Sequence, residues 1–249
     1  TVGGIIGNNA GTYESGKWNG GTVENVVNAT RVTGTDNVGG LIGINDGSVT
    51  NGRNNGTITG TNFVGGLVGD NAHESSILTN LVNDSSAEIL GVTYVGGIAG
   101  KNNGTITAKE QNLVNRGSIT GNQYVGGVAG LNTGIIMNTN NDVELHASGT
   151  NAQYFGGVVG QNGTDGTQEN DGIIENATNT NTILAPDAKY VGGIAGWNTS
   201  QGQLIGMGNS NEGTVIGGSY VGGVIGKNNA AIGGKDKEQV GITNEGKVI

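Results

Sequence analysis

One glycine-rich pattern recurs along the whole chain and constrains its fold more than any single residue does. The pattern reads Val-Gly-Gly-Ile-Ala-Gly-Lys-Asn at residues 95–102, and successive copies begin 26 to 36 residues apart. The eight copies begin at Val2, Val38, Val64, Val95, Val125, Phe155, Val191 and Val221. A period of this size is typical of a repeat architecture, in which each unit stacks on the one before it.

Four positions of the pattern are the same in all eight copies. Counting the first residue as position 0, glycine occupies positions 1, 2 and 5, and asparagine occupies position 7. The asparagines are Asn9, Asn45, Asn71, Asn102, Asn132, Asn162, Asn198 and Asn228. Positions 3 and 4 are always aliphatic. Each interior glycine costs roughly 1 kcal/mol in a helix, so we predict that this segment is a short β-strand.

Two further segments of each repeat also have the pattern of strands. An Asn-x-Gly turn leads to a second strand, such as residues 105–107, and then to an Asn-x-Gly-x-Ile-x-Gly segment, as at 115–121 and, in shorter form, at 55–60. Three short strands in about 30 residues, joined by Asn/Gly turns, predict an all-β fold, the single-stranded β-helix or β-solenoid. We expect residues 1–249 to form one continuous β-solenoid of about eight coils, as part of a longer chain or fibre.

Three stretches fit the repeat poorly. These are residues 11–24, 164–175 and 178–188, which we expect to project from the rod as loops. Pro186 lies in the last of them, where its missing N–H would break no hydrogen bond between strands.

Stacking would place like positions above one another and so accounts for the residues that do not vary. Glycine at positions 1, 2 and 5 allows a positive φ or a tight bend, and it lets two backbones approach closely. The asparagine at position 7 is predicted to form a ladder, with each side-chain amide bonded to the coils above and below it.

An aromatic residue precedes six of the eight copies. The column contains Phe63, Tyr94, Tyr124, Tyr154, Tyr190 and Tyr220, while Thr1 and Asn37 precede the first two copies. Strict alternation would place apolar groups on both faces of the strand. Three explanations remain open: a bulge at Gly-Gly that turns both apolar sets inward, an exposed ladder of rings lying over the glycines, or a surface covered by another element or chain. The third makes the column an association or ligand surface.

Composition excludes several classes of partner. The formal net charge of −9 disfavours nucleic acid, and no apolar run is long enough to be inserted in a membrane. The chain has no cysteine, which removes disulfides and thiolate metal sites. We assign no cofactor.

No catalytic or metal-binding motif stands out. His73-Glu74 begins like the zinc motif HExxH but lacks the second histidine. The stretch 163–167 looks faintly like a calcium loop but lacks the alternating acidic ligands and the terminal Glu. The acidic residues are scattered, so no carboxylate pair marks a polysaccharide-cleaving groove. We therefore predict that the chain is not an enzyme and assign no catalytic or metal residues.

The repeated Tyr-Val-Gly-Gly-Ile-Ala-Gly-x-Asn resembles the GLUG motif of bacterial surface proteins, and residues 40–43 and 66–69 match its core. This resemblance implies secreted or wall-attached adhesins, or the stalks beside the catalytic part of immunoglobulin-A-cleaving peptidases. We expect a structural or adhesive segment of an extracellular bacterial surface protein or filament. Its partners would be further copies, stacked end to end or laterally, and a host or matrix glycan or protein.

Two other functions are kept as alternatives. One is a carbohydrate-binding module that uses exposed tyrosines with Trp18 and Trp197 as sugar platforms. The other is a polysaccharide-active β-helix enzyme. Ice binding through Thr-x-Thr columns is disfavoured because the column is interrupted in other repeats.

Overall fold

The computed structural model describes residues 1–108, 113–166, 171–232 and 241–249, and every regular element within them is a β-strand. Apart from one hairpin, the strands pair in parallel with strands one repeat away. The chain is therefore a β-solenoid, as predicted. Its eight copies of the pattern mark about seven turns, stacked in sequence order.

Three sheets run along the rod, and each coil contributes to all of them. Sheet 1 contains Val2–Gly3, Val32–Thr33, Asp36–Gly39, Thr57–Thr59, Asn62–Gly65, Glu88–Leu90, Thr93–Gly96, Ser118–Gly121, Gln123–Gly126, Leu145–Ala147, Gln153–Gly156, Ile183–Gly192 and Val215–Gly222. Sheet 2 contains Ile6–Asn9, Ile42–Asn45, Val68–Asn71, Ala99–Asn102, Ala129–Asn132, Val159–Asn162, Ala195–Asn198 and Ile225–Asn228. Sheet 3 contains Thr22–Glu24, Val27–Asn28, Ser48–Thr50, Arg53–Asn54, Ile77–Thr79, Val82–Asn83, Thr105–Thr107, Leu113–Asn115, Ile135–Asn141, Ile173–Asn179, Gln203–Ile205, Met207–Asn211 and Gly241–Asn244.

Two of the three sheets are assembled from pairs of short strands. In sheet 3, Ser48–Thr50 and Arg53–Asn54 are separated by Asn51, which has a φ of 54°. Three coils later the two strands of the pair are joined in the single strand Ile135–Asn141. Each coil thus has the three predicted sides, and a local bend divides two of those sides.

The glycine pattern forms a corner between two sheets, and our prediction that it is one strand was wrong. In the fourth copy, Thr93–Gly96 belongs to sheet 1 and Ala99–Asn102 to sheet 2. A Cβ atom on Gly97 would lie 2.3 Å from the carbonyl oxygen of Gly127 in the next coil. Close approach therefore explains the glycine. None of the pattern's glycines has a positive φ, so that predicted role does not apply, whereas the predicted tight bend corresponds to this corner.

The interior consists of two apolar strips that follow the rod. Position 0 of the pattern, as in Val95, joins the inward side chains of sheet 1, such as Ile119. Positions 3 and 4, as in Ile98 and Ala99, face inward with the apolar residues of sheet 3, such as Ile106. These five side chains have no exposed surface, which is the burial that drives folding of so glycine-rich a chain.

Two of the expected loops differ from the prediction. Within residues 11–24, Gly11–Glu14 and Lys17–Gly20 form an antiparallel hairpin, followed by a sheet 3 strand. Residues 178–188 lie mostly in strands, and Pro186 is inside Ile183–Gly192, so the loop prediction there was wrong. The register of that strand shifts between Ala185 and Lys189, and such an irregularity accommodates a proline. In the third stretch, residues 167–170 lie outside the described residues.

Candidate functional site

The asparagines at position 7 form a ladder along sheet 2, which we call the first asparagine ladder. Each Nδ2 donates to the Oδ1 of the asparagine in the next coil, at 2.7–3.0 Å. From Asn45 to Asn198 these residues have no exposed surface. The Asn45 amide also donates to the carbonyl of Gly47 at 2.9 Å, so one side chain stabilises both the stack and the following turn.

A second asparagine ladder runs along sheet 3 and was not predicted as such. It contains Asn28, Asn54, Asn83, Asn115, Asn141, Asn179, Asn211 and Asn244, with amide-to-carbonyl distances of 2.8–3.0 Å. In the sequence, this ladder is marked by the asparagine of the Asn-x-Gly that begins the third segment of each repeat. In the second coil that segment begins at Asn54, and the start at Asn55 was one residue too late.

The aromatic residues stack on one another along the outside of the corner, and we call this file the aromatic ladder. Neighbouring ring centroids lie 4.7–5.0 Å apart and the ring planes differ by 6–24°. The five rings from Phe63 to Tyr190 are partly buried, while Tyr220, the last of the ladder, is 63% exposed. The exposed-ladder explanation is therefore the closest of the three, although the rings stack against each other and not over glycines.

An unusual backbone conformation points these rings outward. Every residue of the ladder, and Asn37 at the same position of the second copy, has a φ between 48° and 63°. Bulky residues seldom adopt this left-handed conformation. It interrupts the alternation of the strand, so Tyr94 points outward while Val95 and Ile98 are both buried.

The C-terminal half of the aromatic ladder is flanked by a tryptophan and two lysines. The Trp197 ring lies 5.3 Å from the Tyr154 ring, and Lys227 Nζ lies 3.9 Å above the indole. Lys189 Nζ lies 4.7 Å from the Tyr190 ring centroid. These cations favour the electron-rich ring faces and occupy positions that a ligand would need for stacking.

Partial burial changes the acidity of the central phenols. Desolvation raises the pKa of Tyr124 to about 12, and the neighbouring phenols of Tyr94 and Tyr154 add to the shift. Desolvation is also the first cause of the raised pKa of Tyr94 and Tyr154. These side chains therefore remain neutral hydrogen-bonding groups well above physiological pH.

Position 6 of the pattern supplies a second outward file, which includes an ion pair. Lys101 Nζ lies 4.0 Å from Asp70 Oδ2. Burial raises the pKa of the Asp70 carboxyl, Lys101 opposes that rise, and Asp46 adds to it. This pair links the third and fourth coils beside the aromatic ladder.

A shallow groove of about 400 Å³ on sheet 3 carries two arginines, Arg53 and Arg116. Arg53 pairs with Asp84, and Arg116 Nε lies 3.8 Å from Asp142 Oδ2. A backbone hydrogen bond from Ser85 and the two arginines hold the pKa of Asp84 below its usual value. Both cations thus already have a carboxylate partner from another coil.

The histidines and tryptophans have structural partners. His73 stacks on Trp18 of the hairpin with centroids 4.0 Å apart, and Trp18 Nε1 donates to the Asp46 carbonyl at 2.8 Å. His146 Nε2 lies 3.9 Å from Glu144. Within the described ranges, no group of three or more His, Cys, Asp or Glu residues is placed to hold a metal ion. In the stretch 163–167, Thr167 lies outside those ranges.

Comparison with known proteins identifies one motif. A family model described as the GLUG motif matches residues 151–184, which span the sixth copy of the pattern and continue through the following coil segment. No curated protein and no solved structure matches the chain. The described residues contain no helix with the length and hydropathy of a membrane span.

Proposed function

We propose that this β-solenoid is a structural and adhesive segment of an extracellular bacterial surface protein or filament, in which it acts as a stiff spacer. The observation that carries this proposal is the pair of asparagine ladders, which continue through the coils without interruption. Each ladder ties every coil to the next by a side-chain hydrogen bond, which is buried except at the last step of each ladder, in addition to the backbone bonds between parallel strands.

Linear stacking supports the role of a spacer. Parallel strands lie about 4.8 Å apart, so the seven intervals between the first and eighth copies span about 34 Å. Exposed apolar residues are found at both ends of the rod, among them Ile5 and Ile249. An unpaired strand edge accepts any further coil, whether it belongs to the same chain or to a second copy.

The proposed role is not enzymatic, and adhesion would use the outer surface. The aromatic ladder is a continuous file of six stacked rings that are not fully buried, and lateral contact with a copy or a host or matrix ligand would form there. A carbohydrate platform is less well supported. Sugars stack on open ring faces, whereas the faces of Trp18 and Trp197 already contact His73, Tyr154 and Lys227.

The spacer is tested by distances between spin labels placed along one exposed file. Ala29, Arg116, Glu212 and Glu245 occupy the same place in the first, fourth, seventh and eighth coils and are exposed. Cysteines at Ala29 and each of the other three positions would be labelled in pairs and measured by pulsed electron resonance. We expect narrow distributions centred near 14, 29 and 34 Å, from about 4.8 Å per coil. Broad distributions, or distances that do not grow with coil number, would contradict a stiff spacer.

Adhesion and location need separate measurements. Antibodies against the chain should label the surface of intact cells of the source bacterium. Beads coated with the purified chain should bind matrix proteins or glycans, and the variant Tyr94→Ser/Tyr124→Ser should bind less. Labelling only after cell lysis would contradict the extracellular location. Bead binding that is absent, or unchanged in the variant, would contradict adhesion through the aromatic ladder.

A further inference from the structure

Five successive coils place a tyrosine ring directly against the next one. The centroid distances are 4.7 Å for Tyr94–Tyr124, 4.8 Å for Tyr124–Tyr154 and 5.0 Å for each of the two following pairs. Because the rings repeat almost by translation, equivalent ring carbons lie about one centroid distance apart. Carbon atoms in van der Waals contact are about 3.5–4.0 Å apart, so a shift of roughly 1 Å brings neighbouring rings into contact.

We propose that the tyrosines of the aromatic ladder are a site of oxidative cross-linking, at which neighbouring phenols couple to dityrosine and join successive coils covalently. This modification goes beyond the role of a spacer. Its absence would leave that role intact.

The reaction requires a one-electron oxidant, such as a peroxidase intermediate formed from hydrogen peroxide. Each of two phenols gives up one electron and one proton and becomes a phenoxyl radical. The radicals combine at the carbons ortho to oxygen and form one C–C bond. Each of these carbons then loses its hydrogen as a proton, while its ring oxygen regains one, which restores two phenols. The tyrosine pair loses two hydrogens in total, and one hydrogen peroxide becomes two water molecules.

The geometry favours coupling within one molecule. A phenoxyl radical on Tyr124 has a second phenol on each side, held by the fold, and this gives a high effective concentration of the correct partner. Tyr13 offers an internal comparison because it lies in the hairpin, outside the ladder, and is 70% exposed. Phe63 ends the ladder with a ring that has no phenol.

Such a bond would do what a disulfide does in other extracellular proteins. The chain has no cysteine, so no disulfide can fasten its coils. A Tyr94–Tyr124 bond would close a loop of one complete coil and restrict the unfolded chain, which is the way in which cross-links stabilise proteins. The coupled rod should therefore resist denaturant and pulling better than the unmodified rod.

Two double variants with the same number of phenols test the proposal. Tyr124→Phe/Tyr190→Phe keeps every ring but leaves no two tyrosines adjacent. Tyr94→Phe/Tyr124→Phe removes as many phenols and leaves Tyr154, Tyr190 and Tyr220 in sequence. Each full-length chain, at low concentration, would be exposed to a ruthenium tris-bipyridyl photo-oxidant with persulfate. Intact-mass and cross-linked-peptide spectrometry would follow, and circular dichroism would check the fold.

We expect monomers that have lost two hydrogens in the unsubstituted chain and in Tyr94→Phe/Tyr124→Phe, with linked peptides from adjacent ladder positions. The yield should fall at least tenfold in Tyr124→Phe/Tyr190→Phe. Equal yields in the two variants would overturn the proposal. So would a peptide map of the unsubstituted chain that contains only intermolecular links through Tyr13 or Tyr220, and this map needs no variant to fold.

Discussion

The first asparagine ladder and the aromatic ladder both repeat once per coil, yet their sequences vary to different degrees. Asparagine occupies all eight positions of the first, whereas the aromatic position holds Thr1 and Asn37 before Phe63 and the tyrosines. A buried amide that loses its partner leaves a polar group unsatisfied, while a ring at the surface loses only contact area. In a solenoid, an invariant position therefore marks a buried polar contact more reliably than a surface one.

The largest effect on stability is expected for Asn132→Ala, in the middle of the first asparagine ladder. The change removes the acceptor of Asn102 and the donor to Asn162, both of which are fully buried. We expect a loss of about 2–5 kcal/mol in the free energy of unfolding, because two buried polar groups are left without this partner. Urea unfolding followed by circular dichroism measures the change.

Asn228→Ala is the matched control at the last position of the same ladder. Asn228 is exposed. Its Oδ1 accepts from Asn198 and from the Ala230 N–H, and its Nδ2 donates to the Ala230 carbonyl, so water can replace the lost contacts. We expect Asn228→Ala to lower the free energy of unfolding by less than about 1 kcal/mol. Equal losses at Asn132 and Asn228 would mean that burial does not set the strength of the ladder.

A smaller effect is expected for Tyr124→Ala in the aromatic ladder. The substitution removes two ring stacks and leaves alanine at a φ of 54°. We expect a loss of about 1–3 kcal/mol from stacking and backbone strain together. Tyr124→Asn should cost less than Tyr124→Ala, because asparagine tolerates this conformation and occurs at the equivalent Asn37. Urea midpoints of the two variants compare them directly, and the reverse order would show that strain is unimportant here.

Alkaline pH should distinguish the aromatic ladder from the first asparagine ladder, because it should lower only the contribution of the aromatic ladder to stability. Asparagine does not titrate, whereas Tyr124 has a pKa of about 12 in the folded chain against 10.0 for a free tyrosine. The unfolded chain releases its proton first, so stability should fall as pH rises from about 10 to about 12. The urea midpoint would be followed across this range, and Tyr124→Phe should reduce the slope. An unchanged slope in that variant would assign the loss to other groups.

Much of the fold followed from the repeat, and the remainder depended on local backbone geometry. Fixed glycines and Asn102 with its equivalents were enough to predict stacked coils and the first asparagine ladder. A tight bend was one of the options predicted for Gly97. The pattern did not show that this bend divides the segment between two sheets, because glycine suits a corner as well as an irregularity within one strand. The second asparagine ladder was missed because two adjacent asparagines, Asn54 and Asn55, made its register ambiguous.

The sequence pattern also did not predict that the tyrosine side chains of the aromatic ladder point outward. A left-handed conformation is rare for tyrosine, so alternation was the natural assumption, and it left the positions of Tyr94 and Val95 unresolved. The energy that offsets this strain comes from burial of Val95 and from ring stacking between coils. Neither is visible in one repeat alone.

The smallest effect is expected at Asn51, three residues from the buried Asn54. Asn51 is exposed, has a φ of 54°, and donates to Asn25 at 3.2 Å across the surface of sheet 3. Asn51→Gly should change the free energy of unfolding by less than about 0.5 kcal/mol, because glycine adopts this conformation freely and water replaces the surface amide. Asn54→Gly should cost several times more, since Asn54 has no exposed surface and bonds to asparagines on both sides. The two variants make the same chemical change in the same sheet, so urea unfolding of both separates burial from repetition. If Asn51→Gly lowered the free energy of unfolding as much as Asn54→Gly, periodic stacking alone would explain why asparagine recurs at these positions. Burial would then not be the reason that the first asparagine ladder is invariant while the aromatic ladder varies.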